Sequence, residues 1–159
     1  MPGISYVRTS RPKTVILYSL NEEFPVPGFK VLKQSENDAA TIVAAGITVH
    51  EALKAYEQLK AKGVAVRVVD LYCVKPLDGA KLGAEVRAGK GKLVTVEDHY
   101  HEGGIGEATI SALADAGAWP TAVKRLAVDR VPHSGKPDEL IDKFGISARH
   151  IVAAVEALK

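Results

Sequence analysis

Residues able to do chemistry are densest in Thr95-Val96-Glu97-Asp98-His99-Tyr100-His101-Glu102-Gly103-Gly104-Ile105-Gly106-Glu107-Ala108. Carboxylates and imidazoles are the side chains that move protons or bind metals, and a glycine cluster before a helix can turn several backbone N–H groups toward an anion. Two chemistries follow. Gly103, Gly104 and Gly106 could cradle a phosphate at a helix N-terminus. Glu97, Asp98, His99, His101 and Glu102 could hold a divalent cation. Each has a plainer counterpart. The glycines also permit a tight entry and close packing of helix on sheet. The acids and histidines also make a hydrogen-bonded loop that meets a neighbouring domain or subunit.

Spacing weighs against both chemistries. In the dinucleotide fingerprint Thr109 stands where the third glycine belongs, and no acid closes a strand about 20 residues on. No phosphate-binding loop of the Walker type occurs. His99 and His101 are two apart, which is not the spacing of a helical zinc site. His50 falls in the first turn of a helix. Cys73, between Tyr72 and Val74, reads as a packed small hydrophobe. No serine stands in a nucleophile elbow. Arg8 and Arg11, beside Thr9 and Ser10, make a candidate clamp for a phosphate or carboxylate, because the guanidinium fork suits bidentate anion contacts. An ordinary solvated loop explains them equally well.

These residues must be positioned by alternating strands and helices. Lys92–Val96 reads as a strand that delivers Glu97 and the loop after it. Phe29–Leu32 and Ala40–Ala44 read as strands joined by the polar turn Gln34–Asp38, close enough to be an antiparallel pair. Thr48-Val49-His50-Glu51 reads as a capping box, followed by helical spacing of Val49, Ala52, Leu53, Tyr56 and Leu59, with Gly63 at the C-cap. Val64–Leu71 has the valine-rich run of a central strand covered on both faces. Lys75-Pro76-Leu77 is a turn and Lys81–Ala88 a helix. Ile105, Ile110, Leu113 and Ala114 mark a helix ending near Gly117, and Val123–Val128 is the last strand. Pro137 suits a first helical turn with Asp138 and Glu139 behind it, and Ser147 caps a final helix bearing Ile151, Val152, Val155 and Leu158.

The alternation predicts a three-layer α/β/α domain with a mostly parallel, mixed sheet. Ile4–Val7 reads as a further strand, cut off by Pro12 and by a stretch containing Pro25, Pro27 and Gly28. Such an orphan strand is expected where a chain opens at the tail of another domain.

Bulk properties bound the remaining choices. The chain has 159 residues, room for one ordinary domain. It is 47% hydrophobic and 25% charged, the balance of a globular protein. The net charge is +2 with signs interspersed, which makes no electrostatic case for nucleic acid or anionic membrane. One cysteine rules out an internal disulfide. There is no long apolar run and no basic-then-apolar start, so the expected location is cytoplasmic.

Five segments together resemble transketolases, in the order and at the spacing of that family: Arg8-Thr9-Ser10-Arg11-Pro12, Gly46-Ile47-Thr48-Val49-His50-Glu51-Ala52-Leu53, Lys75-Pro76-Leu77-Asp78, Glu97–Ala108, and Val131-Pro132-His133-Ser134-Gly135-Lys136-Pro137. The resemblance leans to the animal-type branch. His133, where relatives often carry arginine, Lys13 and the 20–28 stretch depart from the pattern.

The resemblance is to the C-terminal domain and implies a five-stranded mixed sheet, one strand running against the other four. It implies a division into 1–12, a remnant of the preceding pyrimidine-binding domain, 13–28, a linker, and 29–159, the C-terminal domain. Transketolases move two-carbon ketol units between sugar phosphates in the pentose phosphate pathway, using thiamine diphosphate and a divalent cation, Mg or Ca. The family keeps both on other domains, so none is expected on this chain alone. Of the site residues, the resemblance transfers only Arg11, as a contact to the sugar phosphate; it transfers no catalytic residue and no metal ligand. It implies a structural and dimerisation role, inactive alone, with Glu97, Asp98, His99, His101, Glu102, Gly103, Gly104 and Gly106 facing another domain or subunit. Its partners would be the remaining transketolase domains or a split-enzyme partner chain, in a homodimer. Two other readings stand beside it. One is the same domain from a sister thiamine enzyme, a 2-oxo acid dehydrogenase component or deoxyxylulose phosphate synthase. The other is a free-standing regulatory module that binds a small anion at the glycine loop.

Overall fold

A computed structural model describes residues 3–7, 9 and 13–158. Its centre is a five-stranded sheet in the order β1-β3-β2-β4-β5. The strands are β1 (Lys30–Lys33), β2 (Thr41–Ala44), β3 (Arg67–Asp70), β4 (Lys92–Tyr100) and β5 (Ala122–Val128). β2 is parallel to β3 and β4, and β4 is parallel to β5. β1 alone runs against its neighbour. This is the mixed sheet expected, with one strand opposed to four.

Alternation along each strand sorts side chains onto two faces. Ile42, Ala44, Val68, Val94 and Val96 pack under α1 (Ile47–Ala61) and α5 (Ala148–Glu156). Val43, Val69 and Leu93 pack under α2 (Gly79–Ala88) and α3 (Ile105–Asp115), against Leu82, Val86, Ile105 and Leu113. Both faces of the sheet are covered, giving three layers. A short helix, α4 (Pro137–Lys143), precedes α5 and starts with Pro137 in its first turn.

Helix ends follow the chain chemistry with two exceptions. Gly63 and Gly117 take φ of +74° and +63° just past α1 and α3, where left-handed backbone reverses the chain. Asp78 caps α2 by accepting from the Lys81 N–H at 3.0 Å. The capping box expected at Thr48 and Glu51 does not form. Gly46 precedes α1, the Thr48 hydroxyl donates to the Val96 carbonyl at 2.8 Å, and Glu51 points to another helix. Ser147 stands at the N-cap position of α5, yet its hydroxyl turns to Asp142 at 2.8 Å instead of to the helix amides.

Two strand expectations are corrected. β1 pairs with β3, not with β2, because both edges of β2 are already filled by parallel neighbours. β4 runs on to Tyr100, past Val96, because Tyr100 finds a ladder partner in Val128. Ile4–Val7, expected as an orphan strand, joins no sheet among the described residues, and Ile4, Tyr6 and Val7 are fully or largely exposed.

Candidate functional site

The extension of β4 decides the fate of the glycine loop. It carries Glu97 inward to 2% exposure, directly beneath the start of α3. There Glu97 Oε2 accepts from the Ile105 N–H at 2.6 Å, and Oε1 accepts from the Gly106 N–H at 3.0 Å. A carboxylate with two backbone N–H donors at the positive end of a helix is the arrangement a bound phosphate would make. Here the anion belongs to the chain itself.

The glycines make room for that carboxylate. A Cβ on Gly104 would stand 2.0 Å from Glu97 Oε2. On Gly106 it would stand 2.8 Å from Arg125 Nε and 3.0 Å from Thr95 Oγ1. Gly103 serves the turn instead: its φ is +70°, and its N–H donates to Glu107 Oε2 at 2.8 Å. Arg125, on β5, donates to the His101 carbonyl and lies 4.0 Å from the Glu107 carboxylate. The loop is thus closed on itself.

Burial divides the acid- and histidine-rich segment. Glu97, Gly104 and Gly106 are interior; Asp98, His99, Glu102 and Gly103 are exposed, and His101 is half-buried. His99 Nδ1 lies 3.0 Å from the Tyr100 carbonyl, which can only accept, so that nitrogen carries the proton. Among the described residues no three His, Cys, Asp or Glu groups converge as a metal site would require. The glycine loop therefore does not fit a thiamine diphosphate site: its amides are taken by Glu97, and among the described residues no donor set for a cation is assembled there.

A second cluster lies at the carboxyl end of β3, the same end of the parallel strands as Glu97, and was not legible in the sequence. Asp70 closes β3 at 8% exposure and accepts from the Tyr18 hydroxyl at 2.5 Å. Burial pushes the Asp70 carboxyl above its usual range, against the pull of the Tyr18 hydrogen bond and of nearby His50 and Lys30. Burial likewise raises the Tyr18 hydroxyl strongly, and the hydrogen bond to Asp70 adds to it. His50, in the first turn of α1, borders this cluster with Asp70 and Tyr18, half-buried as a helix-start residue should be. Cys73 is buried and aims Sγ at the Pro76 carbonyl at 3.3 Å, which fits its reading as packing. Arg8, Ser10 and Arg11 lie outside the described residues.

Residues 29–151 match the family described as transketolase, C-terminal domain. The chain belongs to that family. Transketolase-like protein 2 of Mus musculus is 49% identical over 154 residues, covering 97% of this chain and 24% of that protein. Transketolase of Rattus norvegicus is 51% identical over 156 residues, covering 98% of this chain and 25% of that protein. Among solved structures, a split gene transketolase described as an inactive beta4 tetramer superposes with a TM-score of 0.79 at 36% identity, over 89% of this chain and 45% of that one. The chain thus spans about a quarter of the length of these curated relatives. The expected transketolase C-terminal fold is the fold found.

Proposed function

We propose that this chain is the C-terminal part of a transketolase, where it supplies scaffold and association surface, and that two-carbon ketol transfer between sugar phosphates takes place on domains outside it. One relationship carries the reading: 98% of this chain aligns at 51% identity with only 25% of the rat transketolase. The internal ligand Glu97 supports it, because the glycine-rich start of α3 is already occupied by a carboxylate of the chain itself. Thiamine diphosphate and its divalent cation, Mg or Ca, then belong to the completed enzyme.

In this reading residues 1–12 belong with the preceding pyrimidine-binding domain, 13–28 connect, and 29–159 form the C-terminal domain. The exposed Ile4, Tyr6, Val7, Val15, Ile16 and Leu20 support a covering partner, since so many apolar residues in one segment rarely stay in water. Arg11 contacts the sugar phosphate. Asp98, His99, Tyr100, Glu102 and Gly103 face another domain or subunit, and Glu97, His101, Gly104 and Gly106 hold that surface from behind. The assembly is a homodimer of complete enzymes or of split-chain pairs; the split gene neighbour, described as a beta4 tetramer, supports only that chains of this kind associate. Its place is the cytoplasm; among the described residues no helix is long and apolar enough to cross a membrane.

The test is complementation. The purified chain should show no ketol exchange and no tight binding of thiamine diphosphate with magnesium by calorimetry. Adding the remaining transketolase domains should produce exchange. Activity of the chain alone, or a micromolar dissociation constant for the cofactor, would overturn the reading.

A further inference from the structure

The family match opens at Phe29, and Pro25 and Pro27 read as a linker ahead of it. Residues 17–28 are nevertheless packed, and they meet the domain at two feet. At the first, Leu17 packs onto the core, and the Tyr18 hydroxyl donates to Asp70, the last residue of β3, at 2.5 Å. At the second, Tyr72 donates to the Pro25 carbonyl at 2.8 Å. Gly28 is shaped to that contact: a Cβ there would stand 1.9 Å from the Tyr72 hydroxyl oxygen. Between the feet the chain turns outward, where the Glu22 N–H donates to the Ser19 carbonyl at 3.2 Å and Leu20 is fully exposed.

The feet are joined to each other. The Phe24 ring stands edge-on to both Tyr18 and Tyr72, with centroids 5.0 and 4.9 Å away, so releasing either foot strips it of one of these two ring partners. The Lys30 ammonium, at the start of β1, lies 4.6 Å from the Phe24 centroid and 5.2 Å from that of Tyr18, and it pairs with Glu22 in the turn. The domain side adds its own resistance. Asp70 is 8% exposed, and among the described residues its side-chain hydrogen bond comes from Tyr18. Lifting the first foot would leave that buried carboxyl without its donor, which is costly in addition to the lost packing.

We infer that residues 17–28 are a strap that closes on the sheet as one piece, latched by Tyr18 on Asp70, so that a preceding domain is joined to this unit at Leu17 instead of at Phe29. A flexible connector lets the bodies at its ends reorient freely; a latched strap hands the direction of the chain at Leu17 to the sheet. The inference rests on the reading above only in calling the unit a C-terminal domain.

Backbone nitrogen relaxation by NMR on the purified chain is the test, because order parameters read mobility residue by residue and need no activity. Amides of Leu17, Tyr18, Phe24 and Val26 should match those of β2 and β4, at about 0.85. Values below about 0.6 at these four positions, beside rigid strands, would mean a loose connector and overturn the inference. In Tyr18→Ala, which removes the first foot, the Phe24 and Val26 amides of the second foot should fall below about 0.6 while β2 and β4 hold. Parent values at Phe24 and Val26 in that variant would mean two independent contacts and no strap. Tyr18→Phe keeps the ring and removes the latch donor, so it should loosen both feet in the same direction. Feet as rigid as the parent's in Tyr18→Phe would put the fastening in the rings and overturn the latch. Complementation can fail with the strap rigid, and the strap can be loose with complementation intact, so the two readings fail separately.

Discussion

The carboxylate of Glu51, on α1, accepts from the backbone N–H of Ala148 at 2.8 Å, across 97 positions of chain. Ala148 opens α5, whose own N-cap residue, Ser147, spends its hydroxyl on Asp142. Glu51 therefore satisfies an amide that would otherwise be buried without a partner. Glu97 does the same for α3. In both helices the cap arrives from a different element: Glu51 ties two helices of one layer, and Glu97 ties the sheet to a helix.

Glu51→Ala should lower stability by about 1–3 kcal/mol, the range for losing a cap and stranding a buried donor. Lys54, which pairs with the other oxygen of Glu51 at 2.6 Å, is exposed, so Lys54→Ala should cost less than about 1 kcal/mol. Urea denaturation of the two variants checks the contrast. Equal losses would mean that the Ala148 contact carries little.

Gly104→Ala and Gly103→Ala, one residue apart, should differ sharply. At Gly104 the added methyl collides with the Glu97 carboxylate, and the clash should cost more than about 2 kcal/mol. At Gly103 the methyl meets open space, and only the positive φ is penalised, about 1 kcal/mol. Melting temperatures of the pair are the measurement.

Acid stability should depend on Asp142. Arg149 binds it with both arms of its fork, at 2.5 and 2.7 Å, and Ser147 adds a third bond. These contacts hold the Asp142 carboxyl well below its usual range. A lowered folded pKa gives stability that is complete above the ordinary carboxylate value and is lost as pH falls below it. Asp142→Asn should therefore flatten the fall in stability below about pH 4. A parallel slope in both proteins would count against this.

The Tyr18–Asp70 pair has the opposite sign on its acidic side. Burial raises the Asp70 carboxyl, so its contribution is complete at low pH and is lost as pH rises through its elevated titration. Asp70→Asn should remove that decline, with His50, Lys30 and Tyr18 the charged or titratable groups around it. On the alkaline side Tyr18 resists ionisation. Absorbance at high pH should show a late-titrating tyrosine in the parent, and Tyr18→Phe should remove it.

The central sheet and its helices were legible because their signals are local. Val64–Leu71 contains β3, Ala40–Ala44 contains β2, and the spacing of Val49, Ala52 and Leu59 traces the buried side of α1. The full length of β4 was hidden, because Glu97, Asp98 and His99 have poor strand propensity and are held there by the pairing of Tyr100 with Val128. The partner of Glu51 was hidden too: four residues that spell a capping box give no sign of an amide on a helix near the far end. The packing of the segment ahead of β1 was concealed by its own prolines. Pro25 and Pro27 mark a linker in the sequence, whereas Tyr18, Phe24 and Tyr72 hold it only once the end of β3 and the residues after it have placed Asp70 and Tyr72. The candidate site was half legible. Composition singled out the stretch from Glu97 to Gly106, but only the burial of Glu97 tells an anion-binding loop from one whose anion is built in.

That built-in anion has a consequence for the living cell. A tethered carboxylate competes at an effective concentration that ordinary dissolved metabolites do not reach. The start of α3 is therefore insulated from swings in phosphate or nucleotide supply, and its first amides stay occupied whatever the surrounding solution holds.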